Sequence, residues 1–176
     1  SILKGQPNTE VSLLIERNGE TFTKNFKREK VTVKSVPYYG FLEDGIAYIK
    51  LRSFTRNCAN DIKSALTDLK SQQELKGIVL DLRSNPGGLL NESVDIVNIF
   101  VEKGEEIVTT KGKIKDWEKT YKARNTPEDI NTPLVVLINS NSASASEIVS
   151  GSIQDLDRGV IIGKRSFGKG LVQQTR

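Results

Sequence analysis

Residues 77–88 read Gly77-Ile78-Val79-Leu80-Asp81-Leu82-Arg83-Ser84-Asn85-Pro86-Gly87-Gly88. The first six form a short, nearly continuous apolar run, which suits a strand covered on both faces. The turn that follows ends in paired glycines, which let the backbone approach a ligand closely and present its N–H groups. Two similar runs lie at 134–138, opened by Pro133, and at 159–163. Between the strands the apolar spacing changes to three and four. Ile62, Leu66 and Leu69 predict a helix over 57–70, and Val94, Ile96, Val97 and Phe100 one over 91–101. A third helix is predicted over 144–156. Strands and helices alternating at these short intervals predict an α/β layered fold with a mostly parallel central sheet. Sites in such folds gather where strand ends feed loops and helix N-termini.

Outward from that core, strands are predicted at 39–42 and 46–51, joined by a turn at Glu43-Asp44-Gly45, and at 106–110. A Lys- and Glu-rich loop carries Trp117 and Tyr121, and a last strand begins at Phe167 and runs to Thr175. Near the start, Val11, Leu13 and Ile15 alternate on one side of Asn18-Gly19, with Phe22 and Phe26 on the other. Asn-Gly between alternating runs signals a β-hairpin. The charged stretch 27–30 and the run to Pro37 place a domain boundary near residue 33, dividing the chain into 1–33 and 34–176.

Composition narrows the chemistry. The 176 residues include no histidine. That excludes Ser-His-Asp and Cys-His catalysis and every zinc site that needs an imidazole. The single cysteine, Cys58, can form neither an internal disulfide nor a multi-cysteine cage, and is read as a small packed side chain. The net charge of +4 is spread over three separate stretches rather than one basic stripe, so no nucleic-acid surface is indicated. No apolar run reaches the length of a membrane span.

Three loops could carry chemistry. One is the Pro86-Gly87-Gly88 turn. Another, Asn139 to Glu147, is rich in serine at a strand-to-helix turn, where a hydroxyl can stand exposed beside unpaired helix N–H groups. The third is Phe167-Gly168-Lys169-Gly170-Leu171-Val172-Gln173. Each alone has a structural reading: a tight turn, a Ser-rich cap, a surface turn. The Gly-Lys pair lacks the spacing of a phosphate loop.

Together the three stretches GIVLDLRSNPGG (77–88), SASASEI (142–148) and FGKGLVQQ (167–174) resemble the carboxy-terminal processing, or tail-specific, protease family. The resemblance implies a crotonase- and ClpP-like layered core, preceded by a β-hairpin that is the remnant of a PDZ domain. It implies that Ser144 is the nucleophile, Lys169 the general base, and Gln173 the residue that orients the lysine. The oxyanion donors would be the backbone N–H groups of Ala145 and of Gly88 or Gly87, with Gly88 preferred. Substrates would be polypeptides with free, apolar C-termini, in the periplasm or another extracytoplasmic space. No cofactor or metal is implied. The PDZ carboxylate loop and the strands that follow FGKG in the family are missing from the sequence. An excised core is therefore expected, with weak or absent turnover on its own.

The assignment makes chemical sense. A serine hydroxyl is a weak nucleophile until a base takes its proton. Free lysine is nearly all charged at pH 7, and burial among apolar groups is what disfavours the ammonium. Phe167, Leu171 and Val172 are expected to supply that surrounding, and a glutamine can hold an amine without restoring its charge. Gln173 would share a strand face with Lys169, and Gln174 would not. Ser142 and Ser146 are expected to cap or pack, Glu147 to answer the helix dipole, and Asp81 and Arg83 to support the glycine loop. Two rivals stay open: a crotonase-like enzyme acting on acyl thioesters, and a non-enzymatic scaffold that keeps the fold.

Overall fold

A computed structural model of the chain describes residues 3–31, 33–43 and 45–173. Thr32, Asp44 of the predicted turn, and Gln174 and Thr175 of the predicted last strand lie outside the described residues. Contacts divide the chain into two compact units, 1–33 and 34–176.

In the first unit, strands β1 (Glu10–Arg17) and β2 (Glu20–Lys27) pair antiparallel, closing with Arg17 opposite Glu20. Asn18 and Gly19 take φ of 55° and 81°, the two positive values that a tight hairpin turn requires. Val11, Leu13 and Ile15 are half-buried while their neighbours on the strand are exposed, the period of two read from the sequence.

The second unit is built on a five-stranded sheet. Its strands are β3 (Tyr38–Glu43), β4 (Ile46–Lys50), β5 (Gly77–Asp81), β8 (Leu134–Ile138) and β9 (Val160–Gly163), in the order β3-β4-β5-β8-β9. Only the β3–β4 pair is antiparallel; the other three pairs are parallel. Helices α1 (Cys58–Gln72), α2 (Leu90–Phe100) and α3 (Ala145–Asp155) make the crossovers. Their apolar stripes, with Ile62, Leu66, Ile96, Val97, Val149 and Ile153 fully buried, join Ile49, Leu80 and Val136 of the sheet in one core. The fold class is the α/β layered core expected. Because β4, β5 and β8 run parallel in register (Lys50 beside Asp81, Asp81 beside Leu137), their C-terminal ends open onto one edge. Three loops meet there.

Three local expectations differ from the structure. Residues 119–122, read as loop, form strand β7 (Lys119–Lys122) against β6 (Glu106–Thr110), anchored by buried Tyr121. The sequence hides this strand because one apolar residue among charged ones gives little periodicity. Strand β5 is not wholly enclosed, since Val79 is half-buried. Residues 167–173 form no strand: Gly168 and Gly170 take φ of 80° and 54°, values that leave the extended region.

Candidate active site

The chain leaves β8 at Ile138, crosses a six-residue loop, and enters α3 at Ala145. Ser144, immediately before the helix, has φ 57° and ψ −114°. A side-chain-bearing residue there costs on the order of 1–3 kcal/mol and persists only where its surroundings over-determine it. They do so here. Fully buried Ser142 donates its hydroxyl to the Leu82 carbonyl (2.8 Å) and accepts the Asn139 N–H (2.9 Å). Fully buried Ser146 donates to the Asn85 carbonyl (2.9 Å), which also accepts the Ala143 N–H (3.1 Å). The serines flanking Ser144 thus fasten its loop to the 82–88 loop.

The glycine pair lies on the other side of that seam. A Cβ on Gly87, whose φ is 97°, would stand 2.8 Å from the Ser144 Cβ and 2.7 Å from the Ala143 carbonyl, so only glycine fits. Asn85, fully buried, clamps the turn: its amide donates to the Leu51 carbonyl (3.0 Å) and its Oδ1 accepts the Gly87 N–H (2.9 Å). Phe54 brackets the pair, donating its N–H to Gly87 (3.0 Å) and accepting the Leu89 N–H (2.8 Å). The N–H groups of Gly88 and Ala145 find no acceptor among the described residues, whereas that of Gly87 is engaged.

Lys169 is half-buried, and its Nζ donates to the Gln173 Oε1 at 3.2 Å. This contact forms without the strand face invoked for it. The expected apolar surround does not form: Phe167 is 67% exposed and Leu171 71%, and Val172 is also exposed, because the positive-φ glycines turn the segment and, among the described residues, no strand pairs with it. Among the described residues, no hydrogen bond joins the Ser144 hydroxyl to the Lys169 amine.

Beside the Phe167 N–H, which donates to the Ser142 carbonyl (3.0 Å), Glu147 ties the two segments together. Its carboxylate accepts the N–H groups of Ser144 (2.7 Å), Gly168 (2.6 Å) and Lys169 (3.1 Å) and the hydroxyl of Ser166 (2.8 Å). Burial alone would raise its pKa, but these four donors outweigh it and hold the carboxyl below its ordinary value. Sequence reasoning credited Glu147 only with the helix dipole. The capping-box spacing from Ser144 to Glu147 was a visible signal for its local half; the reach to residues 166–169 was not.

Asp81, 1% exposed, is pushed up by burial but pulled further down by Arg83, Tyr48 and Lys50, so it stays ionised well below the usual carboxylate range. It accepts the Arg83 backbone N–H (2.8 Å) and two guanidinium bonds (3.0 and 2.8 Å), bracing the start of the glycine loop. Burial, and next the charge of Glu92, push the Cys58 thiol up to about 12, so it is no nucleophile at neutral pH.

A hydroxyl held on a strained turn, beside spare amide donors and an amine steadied by a neutral amide, is the set of parts that acyl transfer to a serine requires. Comparison with known proteins shows the family. The profile described as peptidase family S41 matches residues 45–176. A carboxy-terminal-processing protease of Bartonella bacilliformis is 41% identical over 97% of this chain and 40% of its own length. A probable CtpA-like serine protease of Staphylococcus aureus is 39% identical over 99% of this chain and 34% of its own. Among solved structures, the photosystem II D1 C-terminal processing protease superposes with a TM-score of 0.71 at 33% identity, covering 97% of this chain and 47% of that one. The chain belongs to peptidase family S41, and spans about two fifths or less of the curated relatives named here.

Proposed function

We propose that the protein carrying this chain is a serine endopeptidase that cleaves polypeptides near their C-termini, with Ser144 as nucleophile, Lys169 as general base and Gln173 as its orienting partner. The observation that carries the reading is the Glu147 carboxylate, which accepts both the Ser144 and the Lys169 N–H groups and so fixes the two segments against each other. In unliganded sites catalytic hydrogen bonds are commonly long and tighten with substrate, so the unformed Ser144–Lys169 bond does not count against the pair. The amides of Gly88 and Ala145 are the donors we assign to the oxyanion, because both are unspent. We also propose that the hairpin of residues 1–33 is the end of a PDZ domain, that substrates carry free, apolar C-termini, and that the protein works in an extracytoplasmic, periplasmic space. These last readings rest on family resemblance.

The mechanism runs in two halves. Lys169 takes the Ser144 hydroxyl proton as Oγ attacks the scissile carbonyl carbon. The resulting oxyanion is received by the two amides, each worth about 10²–10³ in rate. The protonated amine then passes its proton to the departing nitrogen, leaving an acyl-serine that water hydrolyses by the same route. The test is hydrolysis of a peptide with a free apolar C-terminus by the intact protein across pH 6–10, beside Ser144→Ala and Lys169→Ala. Both substitutions should abolish turnover. Activity that survives Lys169→Ala would put the base elsewhere.

A further inference from the structure

On the same edge of the sheet as the Ser144 turn lies a concavity of about 390 Å³, lined by Lys50, Arg52, Arg83, Ser84 and Asn139. Its electrostatics are unbalanced. Three cations, Lys50, Arg52 and Arg83, line it, and Asp81, the carboxylate that pairs with Lys50 and Arg83, is already saturated. Its two oxygens accept the Tyr48 hydroxyl, the Arg83 backbone N–H, two Arg83 guanidinium bonds and the Lys50 ammonium. A carboxylate offers about four lone-pair sites, so none is left for a further donor. Lys50 spends a second bond on the Arg83 carbonyl (2.6 Å), yet the Arg52 guanidinium has no acceptor among the described residues. Three cations less one carboxylate leave two positive charges, one of them on the free planar fork of Arg52, a group suited to receive a carboxylate by paired hydrogen bonds.

Its position says what would bring a carboxylate there. Ser84 and Asn139 are clamped to each other, with the Ser84 N–H on Asn139 Oδ1 (2.8 Å) and the Asn139 amide on Ser84 Oγ (3.1 Å). Ser84 opens the loop that ends in Gly87 and Gly88, and Asn139 opens the loop that ends in Ser144. Arg52 lies two residues before Phe54, which brackets the glycine pair. A polypeptide seated at Ser144 would thus run close to this basic wall.

We propose that Lys50, Arg52 and Arg83 form a carboxylate subsite of the peptide-binding cleft, one that engages a substrate's terminal carboxylate or an acidic side chain near the scissile bond. The proposal deepens the peptidase reading and rests on it. It is tested by fluorescence anisotropy on the intact protein carrying Ser144→Ala, with labelled peptides that end in a free acid, end in an amide, or exchange an internal Asp for Asn. A carboxylate-bearing peptide should bind about tenfold more tightly than its neutral counterpart, about 1.4 kcal/mol. Which exchange weakens binding tells the terminal carboxylate from the side chain. In an added Arg52→Gln background the preference should vanish, and Arg52→Lys should restore part of it. Arg83→Gln is the less clean variant, because it also strips Asp81. Equal binding of acid and neutral peptides, or a preference that survives Arg52→Gln, would overturn the subsite. Mass spectrometry of the same samples separates the two readings: cleavage persisting in Ser144→Ala contradicts the nucleophile assignment and leaves the affinity comparison standing.

Discussion

Replacing Glu147 by glutamine tests whether one carboxylate sets the geometry between the serine and the lysine. The wild-type side chain receives four donors, three of them backbone N–H groups from two different loops. Glutamine keeps one oxygen and turns an NH₂ donor toward groups that are themselves donors, so about two bonds are lost. Hydrogen bonds to a charged group contribute about 1.5–3 kcal/mol each when buried, and less where, as here, water has partial access. A loss of about 2–4 kcal/mol is expected, read as a shift of the urea midpoint at pH 7. Catalysis should suffer as well: releasing the Lys169 segment by about 1 Å is enough to cost on the order of 10²-fold in kcat.

The pH dependence supplies an independent sign. The folded carboxyl titrates below its unfolded value. Its contribution is therefore complete above the ordinary glutamate range, near pH 4.3, and is lost as pH falls through the folded value. The stability gap between wild type and Glu147→Gln should be constant above pH 5 and narrow in acid. A variant with wild-type kcat and a gap independent of pH would refute the reasoning, because the carboxylate would then be neither a tie nor a charge that the fold uses.

Other substitutions probe the parts separately. Ser144→Gly should leave the protein inactive yet more stable than Ser144→Ala by about 1–2 kcal/mol in denaturant melts, because glycine accepts φ 57° and alanine does not. Gly87→Ala should abolish peptide hydrolysis and lower the melting temperature, since the new methyl meets the Ser144 Cβ at 2.8 Å. Asn85→Ala should cost about 1–3 kcal/mol by stripping the Leu51 carbonyl and Gly87 N–H of buried partners. Iodoacetamide at pH 8 should alkylate Cys58 only after unfolding, given its burial and a thiol pushed up to about 12.

The sheet and helices were legible because burial writes a period into the sequence. Ile62, Leu66 and Leu69 mark α1, and the run at 134–138 marks β8, whatever the partners. The serine turn was legible through chemistry: small residues between a buried strand and a helix. Residues whose role depends on a remote partner were not. Nothing local shows that Ser142 reaches Leu82, that Ser146 reaches Asn85, or that Glu147 gathers Ser166, Gly168 and Lys169. Over the described residues 167–173, the reading as a strand erred in the same way. Apolar Phe167, Leu171 and Val172 suggest burial, but a strand needs a neighbour to take its hydrogen bonds, and the two glycines turn the backbone away.

That contrast divides the site into unequal halves. The Ser144 turn and the glycine loop are fastened by Ser142, Ala143, Ser146 and the Ser84–Asn139 clamp, all spanning strands β5 and β8, which are themselves paired in register. Among the described residues, 166–169 are tied to this framework by the Phe167 N–H on the Ser142 carbonyl and the three donors on Glu147. Under the proposed assignment, nucleophile and oxyanion donors belong to this framework, and the amine is brought to them by one ionised side chain and one backbone bond. A site assembled this way needs that carboxylate for position as much as it needs the lysine for chemistry. A change that unseats residues 164–173 should remove the base while leaving the serine in its strained turn.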